Sequence, residues 1–182
     1  MEMTDEALVR ACVEGNMAAQ KKLFDKYSRV MMGLCLRYAS CVEEAQDLAQ
    51  DGWIKVFERL KTFRFEGSLE GWIKRIMVNT SLDHLRRNKQ LTQSIDQSNE
   101  NHSALQTDAD AFSKLSAKEL MAIIQQLPAG YRSVFNLYAI EGFSHKEIGT
   151  MLNIAESTSK SQYLRAKASL QKMLLIENVI VS

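Results

Sequence analysis

This sequence predicts an all-α chain of two small helical domains joined by a flexible linker, and three observations carry the prediction. Only one proline and 8 glycines stand among 182 residues, too little turn chemistry for a sandwich or barrel, which needs a turn signal every ten residues or so. Hydrophobic residues make up 46% and charged residues 25% of the chain, the balance of a folded globular protein. Apolar residues recur at three- and four-residue intervals in long stripes, and a single polar stretch interrupts them.

From Ala19 to Ala39 the residues Leu23, Phe24, Tyr27, Val30, Met31, Leu34, Cys35 and Tyr38 form a wide apolar stripe on one helical face. A second helix is predicted from Val42 to Leu60, with Ala45, Leu48, Ala49, Trp53, Val56, Phe57 and Leu60 inward. Glu43, Glu44, Asp47, Gln50 and Asp51 crowd its first half, and acids near a helix start suit the macrodipole. Phe63-Arg64-Phe65-Glu66-Gly67-Ser68 breaks the pattern, and Ser68 can cap a new helix. Leu69, Trp72, Ile73, Ile76, Met77, Thr80, Leu82 and Leu85 carry this third helix towards Arg86-Arg87-Asn88-Lys89, with Trp72 assigned to the core and His84 to the surface. The first domain is expected to span residues 1-90.

Residues 91-114 read as a linker, because 15 of these 24 are Ser, Thr, Gln, Asn, Asp or Glu and no apolar face can be drawn. Periodicity returns in a second domain, 115-182, with Leu115, Leu120, Ile123, Ile124 and Leu127. It stops at Pro128-Ala129-Gly130 and resumes with Val134, Phe135, Leu137, Tyr138 and Ile140 up to Glu141-Gly142. Two short helical patterns come next. Ser144 to Leu152 has a capping-box spacing, Ser144 to Glu147, and buries Ile148 and Leu152. The other starts near Glu156 and puts Tyr163, Ala166, Leu170 and Met173 or Leu174 on one face, after the turn Asn153-Ile154-Ala155.

Several classes are excluded by what is missing. No run of about 18 apolar residues exists, and Met1 to Arg10 carries acids where a secretory signal would carry bases, so a cytoplasmic protein is expected. Cys12, Cys35 and Cys41 lack metal spacing, and His84, His102 and His145 are far apart. Neither a disulfide framework nor a metal site is expected, and no cofactor. The absence of a Gly-rich phosphate loop and of a paired nucleophile and base argues against an enzyme.

Net charge is only +1 overall, yet the segments carry −2 (1–60), +4 (61–90), −3 (91–115) and +2 (116–182). Phosphate backbones respond to local Lys/Arg density and hardly to the average, so this segregation keeps nucleic acid in play. The last two helical patterns, joined by a tight turn, fit a helix-turn-helix. A helix entering the major groove needs small polar residues for close approach and donors for base edges and phosphates. Ser157, Thr158, Ser159 and Ser161 supply the first, and Lys160, Gln162, Arg165 and Lys167 the second. Pattern alone leaves two readings open, a groove-entering helix or the solvated face of an ordinary bundle.

Longer motifs narrow the choice. Leu127-Pro128-Ala129-Gly130-Tyr131-Arg132-Ser133-Val134-Phe135-Asn136-Leu137, then Glu141-Gly142-Phe143-Ser144-His145-Lys146-Glu147-Ile148-Gly149 and Thr158 through Lys167, resemble the promoter-distal DNA-binding domain of an extracytoplasmic-function sigma factor of the sigma-70 family. Glu44 through Asp51 with Trp53-Ile54-Lys55-Val56-Phe57, then Phe63 through Trp72 and Arg75-Ile76-Met77-Val78-Asn79-Thr80, resemble the same family's core-binding and minus-ten domain. The likeness spans about residues 5 to 175. Ser159, Gln162 and Gly149 depart from it, standing where an aliphatic residue, Arg and Ala are usual.

The resemblance implies a bacterial RNA polymerase sigma subunit that directs core RNA polymerase to promoters and assists melting. It implies docking on the clamp coiled coil of the largest polymerase subunit through Asp47, Gln50, Asp51, Trp53 and Val56, with a further contact to the flap of the second-largest subunit. Minus-ten DNA would be met by Phe65, Lys74, Arg75, Asn79, Thr80, Asp83, Arg86 and Arg87, where a base leaving the stack needs a pocket or stacking partner. Minus-thirty-five duplex would be read by Ser157, Thr158, Lys160, Ser161, Leu164 and Arg165. The linker would occupy the family's cleft-to-exit-channel segment or serve as a plain tether, and an anti-sigma factor would hold the protein inactive. No stable homo-oligomer is expected. Rival readings are an autonomous DNA-binding regulator, which would need a dimer face or ligand pocket, and a helical adaptor without DNA contact.

Overall fold

The computed structural model describes residues 3–92 and 117–180, and every regular element among them is helical. The chain divides into two compact units, Met1–Arg86 and Arg87–Ser182. The first holds α1 (Asp5–Val13), α2 (Met17–Tyr38), α3 (Val42–Arg59), a single 3-10 turn (Leu60–Thr62) and, as far as Arg86, α4 (Leu69–Thr92). In the second are α5 (Ala117–Gln125), α6 (Ala129–Phe135), a π-helical turn (Asn136–Ile140), α7 (His145–Leu152) and α8 (Glu156–Ile180). From residue 93 onward the expected linker 91-114 lies outside the described residues, as does Leu115.

The first unit closes on long apolar side chains of α2, α3 and α4. Leu23, Met31, Leu34 and Tyr38 from α2 meet Ala45, Leu48 and Val56 from α3 and Ile73, Met77 and Leu82 from α4, all 2% exposed or less. Gly52 lets α3 and α4 approach: a Cβ there would stand 2.2 Å from the Met77 sulfur. Helix α1 has no counterpart in the periodicity reading. It is started by Thr4, whose side chain accepts from the Ala7 N–H, and it buries Leu8, Val9 and Cys12. Cys41 caps α3, its Sγ accepting from the Glu44 N–H at 3.5 Å, and it is exposed. Cys12 and Cys35 are buried; burial raises both thiols, that of Cys35 to about 12, against a small opposing pull from Arg37.

Two residues of the expected α2 stripe point outward. Phe24 is 42% and Val30 46% exposed, because a stripe eight residues wide covers more of a helix than one core can enclose.

In the second unit Ile123, Ile124 and Leu127 pack against Ala166, Leu170 and Leu174 of α8. Arg132, itself buried, donates from Nη1 to the Gln125 carbonyl at 2.8 Å and so satisfies the end of α5. The π turn alters the register that an unbroken helix would keep. Leu137 stays fully buried, whereas Tyr138 and Ile140, expected inside, are 38% and 42% exposed. The capping box at the start of α7 is formed by Ser144 and Glu147. Asn153 ends α7 in the left-handed region, φ 54°.

Candidate functional site

Three surfaces bring the expected site residues together, two on the first unit and one on the second. On α3 the positions 47, 50, 51 and 54 fall on one side of a 3.6-residue helix. Asp47, Gln50, Asp51 and Ile54 lie along it as acids and an amide bordering an apolar strip, with Asp47, Asp51 and Ile54 exposed. Beside them an open groove of about 650 Å³ runs between α2 and α3, with Phe24, Met32, Gln50, Trp53, Ile54 and Phe57 among its lining residues. The Trp53 ring lies 5.0 Å from Phe24 and 5.8 Å from Phe57 between centroids.

Two expected docking residues need correction. Val56 is 0% exposed, so it presents no atom to a partner and acts by holding α3 on the core. Trp53 is 6% exposed, mostly core with one edge in the groove. Phe24 and Ile54 join the surface without being expected there. Ile54 lies out of phase with the inward stripe of α3, and that mismatch is the signal of an outward apolar residue.

Helix α3 is tied to α4 by Glu44, whose Oε1 lies 3.0 Å from His84 Nε2. The other carboxylate oxygen accepts from the Ser40 N–H at 2.6 Å and from the Ser40 hydroxyl. Burial pushes the Glu44 carboxyl up, but the Ser40 hydrogen bonds and His84 together outweigh it and leave it below its ordinary value.

The second surface is the 63–68 loop and the outer face of α4. Phe65 sits in the left-handed region, φ 58°, with its ring 43% exposed and 4.9 Å from Phe63, which in turn lies 5.4 Å from Trp72. A bulky residue at positive φ is strained, and here the strain accompanies an aromatic ring held out at the loop tip. Arg75, Asn79 and Arg86 succeed one another along one exposed face of α4, with half-buried Asp83 at its edge. Arg86 Nη1 pairs with Asp83 at 2.7 Å, and Lys74 pairs with Glu70 at 2.7 Å; exposed pairs of this kind are weak enough to exchange for a phosphate. Arg87 is exposed as well. Thr80 needs correction: it is 1% exposed, on the buried side of α4, and cannot meet a base.

The third surface is the helix-turn-helix of α7 and α8. Ser157, Ser161, Leu164 and Arg165 fall on one exposed side of α8, with half-buried Thr158 and exposed Lys160 at its margins. Leu164 is 61% exposed, an apolar group of the kind that meets a thymine methyl. Lys160 Nζ pairs with Glu156 at 2.6 Å, and that hydrogen bond first, then the charge, keeps the Glu156 carboxyl below its ordinary value. Ser159, expected on the polar surface, is instead 0% exposed: it lies half a turn from Ser157 and Ser161, on the side that packs on α7. Gln162 turns towards α6, where a Cβ on Gly130 would stand 3.5 Å from its Oε1.

Two known families match the chain in succession. Residues 23–90 match the family described as Sigma-70 region 2, and residues 117–170 the family described as Sigma-70, region 4. RNA polymerase sigma-H factor of Pseudomonas aeruginosa is 29% identical over 181 residues, covering 93% of each chain. The ECF RNA polymerase sigma factor SigW of Bacillus subtilis is 29% identical over 184 residues, covering 96% of this chain and 98% of its own. Among solved structures, the sigma factor RpoE of Bartonella quintana, crystallised with the anti-sigma factor NepR, superposes with a TM-score of 0.53 at 22% identity. It covers 85% of this chain and 95% of its own, a likeness of fold.

Proposed function

The chain belongs to the sigma-70 family as an RNA polymerase sigma factor of the extracytoplasmic-function group, and we propose the division of labour that its three surfaces support. The Asp47, Gln50 and Asp51 face of α3 docks on core RNA polymerase, with the apolar groove beside it adding buried area. The Phe65 loop and the Arg75, Asn79, Arg86 face of α4 capture an extruded minus-ten base and its phosphates. Helix α8 enters the minus-thirty-five major groove with Ser157, Ser161, Leu164 and Arg165, flanked by Thr158 and Lys160.

The protein is a transcription initiation factor, and bond-making stays with the polymerase. We assign it to the cytoplasm, where core polymerase and the chromosome are; no helix among the described residues is long and apolar enough to cross a membrane. Region 1-90 serves polymerase and minus-ten, region 115-182 serves minus-thirty-five, and 91-114 tethers them. An anti-sigma factor is the expected regulator, and the structural relative RpoE was crystallised in complex with one, NepR.

The observation that carries this reading is the presence of region 2 and region 4 in order on one chain, each with its own exposed, chemically suited face. The test is transcription from a genomic DNA library by core polymerase alone and by core plus this protein. A defined set of new start sites is expected. Tight sequence-specific binding of promoter duplex by the free protein, with no effect on core, would favour an autonomous regulator.

A further inference from the structure

Ser159 is a polar side chain with no solvent exposure on the inner side of α8, and it does not take the partner nearest to hand. A serine within a helix can bond the carbonyl four residues back; Ser159 Oγ instead meets Nδ1 of His145, the first residue of α7, at 2.9 Å. The imidazole is itself clamped. Its ring stacks on Tyr138 of the π turn at 4.2 Å and 10°, and Tyr163, one turn beyond Ser159, tilts against both rings at 4.6 and 5.9 Å. Three elements therefore meet at one hydrogen bond.

The opposite end of α7 allows little slack. Ile154 N–H donates to the Gly149 carbonyl at 2.9 Å, and a Cβ on Gly149 would stand 2.9 Å from the Ile154 carbonyl oxygen. The α7–α8 turn is drawn close here and the Ala166, Leu170 and Leu174 face of α8 is seated on α5, and near the start of α8 the directional His145–Ser159 bond adds a restraint on rotation about the helix axis. We propose that His145 and Ser159 are positioning residues for promoter discrimination, fixing the rotation at which α8 presents Ser157, Ser161, Leu164 and Arg165 to base edges. The proposal rests on the reading of α8 as the minus-thirty-five helix. Base-edge contacts demand placement within about 0.5 Å, whereas an apolar contact at Ser159 would hold distance without holding angle, since dispersion is not directional.

The experiment uses holoenzyme reconstituted from core polymerase and full-length protein: wild type, Ser159→Ala, His145→Phe and the double variant. His145→Phe keeps an aromatic ring for Tyr138 and removes the bond, and Ser159→Ala acts at a residue that DNA cannot touch. Occupancy is measured on promoters carrying single substitutions across the minus-thirty-five element, beside thermal melting of each free variant. Either single variant should lose discrimination by about fivefold, the worth of one hydrogen bond. The double should lose no more, the mark of two residues acting as one, while occupancy of a promoter lacking the element changes less than about twofold. Uniform weakening across all promoters, or additive losses in the double, would overturn the proposal and reduce the pair to a stabilising contact. Should Ser159→Ala melt before the assay temperature, His145→Phe decides by the same criteria. A wild-type holoenzyme indifferent to the minus-thirty-five series would instead overturn the reading of α8, a result distinct from variants that keep wild-type preference, which would overturn the positioning role alone.

Discussion

Glu44 of α3 and His84 of α4 meet at 3.0 Å between Oε1 and Nε2, so the helix with the docking face is tied to the helix with the minus-ten face. Because the Glu44 carboxyl lies below its ordinary value in the folded protein, the native state binds this proton less readily than the unfolded chain. The stabilisation is complete above the unfolded value, about 4.5, and fades as pH falls through the folded one. Glu44→Gln should therefore cost about 1–2 kcal/mol at neutral pH and progressively less as pH falls below the ordinary carboxylate value and through the lowered one. Urea unfolding of both proteins across pH measures the gap; a gap of constant size would refute the assignment.

Asp47→Arg combined with Gln50→Ala should abolish co-purification with core polymerase. Both sites lie on the outer face of α3, away from its buried stripe, so stability should move by only about 0.5 kcal/mol, against several kcal/mol for a like-charge clash at the interface. Val56→Ala, at a fully buried site, should do the reverse, costing about 2 kcal/mol of stability while the folded fraction still binds core. Wild-type yield from the α3 double variant would mean that the docking face lies elsewhere.

Asn79 stands exposed on α4 between Arg75 and Arg86. If it holds an extruded base, Asn79→Ala should slow open-complex formation on duplex promoters and matter less on templates with a pre-melted bubble, where the few kcal/mol of unstacking are already supplied. Thr80→Ala should show no such template dependence, since its hydroxyl is buried. Stopped-flow fluorescence on the two templates separates the cases, and equal slowing on both would assign Asn79 to duplex contact.

Lys160 and Arg165 differ in what removing them should reveal. Lys160 shares its charge with Glu156 at 2.6 Å, so Lys160→Ala should weaken all promoters alike and lower the salt slope by no more than about one unit. Arg165 has a planar fork suited to a guanine edge. Arg165→Ala should cost about 1–3 kcal/mol at one position of the element and relax preference there. Binding at two salt concentrations over a substituted promoter series checks both, and unchanged slope and selectivity in both variants would withdraw α8 from the groove.

Legibility in the sequence depends on how local the determining physics is. The core stripes of α2, α3 and α4 and the Ser144–Glu147 box arise from spacing within one helix, and spacing is what a sequence displays. Helix α1 escapes because Leu8, Val9 and Cys12 are too few to establish a period in nine residues. Tyr138 and Ile140 fit an inward pattern because the π turn that rotates them out leaves no mark in the hydrophobic periodicity. At the candidate site, the α3 acids and the α8 face are exposed as their spacing implies. The inward turn of Ser159 and the burial of Thr80 depend on which neighbouring helix sits opposite, and a linear string of residues does not carry that.

The accessibility of the three thiols has an experimental consequence. Cys12 and Cys35 are shielded and hard to ionise, whereas Cys41 faces solvent at the start of α3, and only a thiolate reacts readily with a maleimide. A fluorophore supplied near neutral pH should attach at this one position without any cysteine being engineered away. The unaltered sequence thus offers a single-site optical reporter next to Ser40 and Glu44, positioned to register the arrival of core polymerase on the neighbouring helical face in real time.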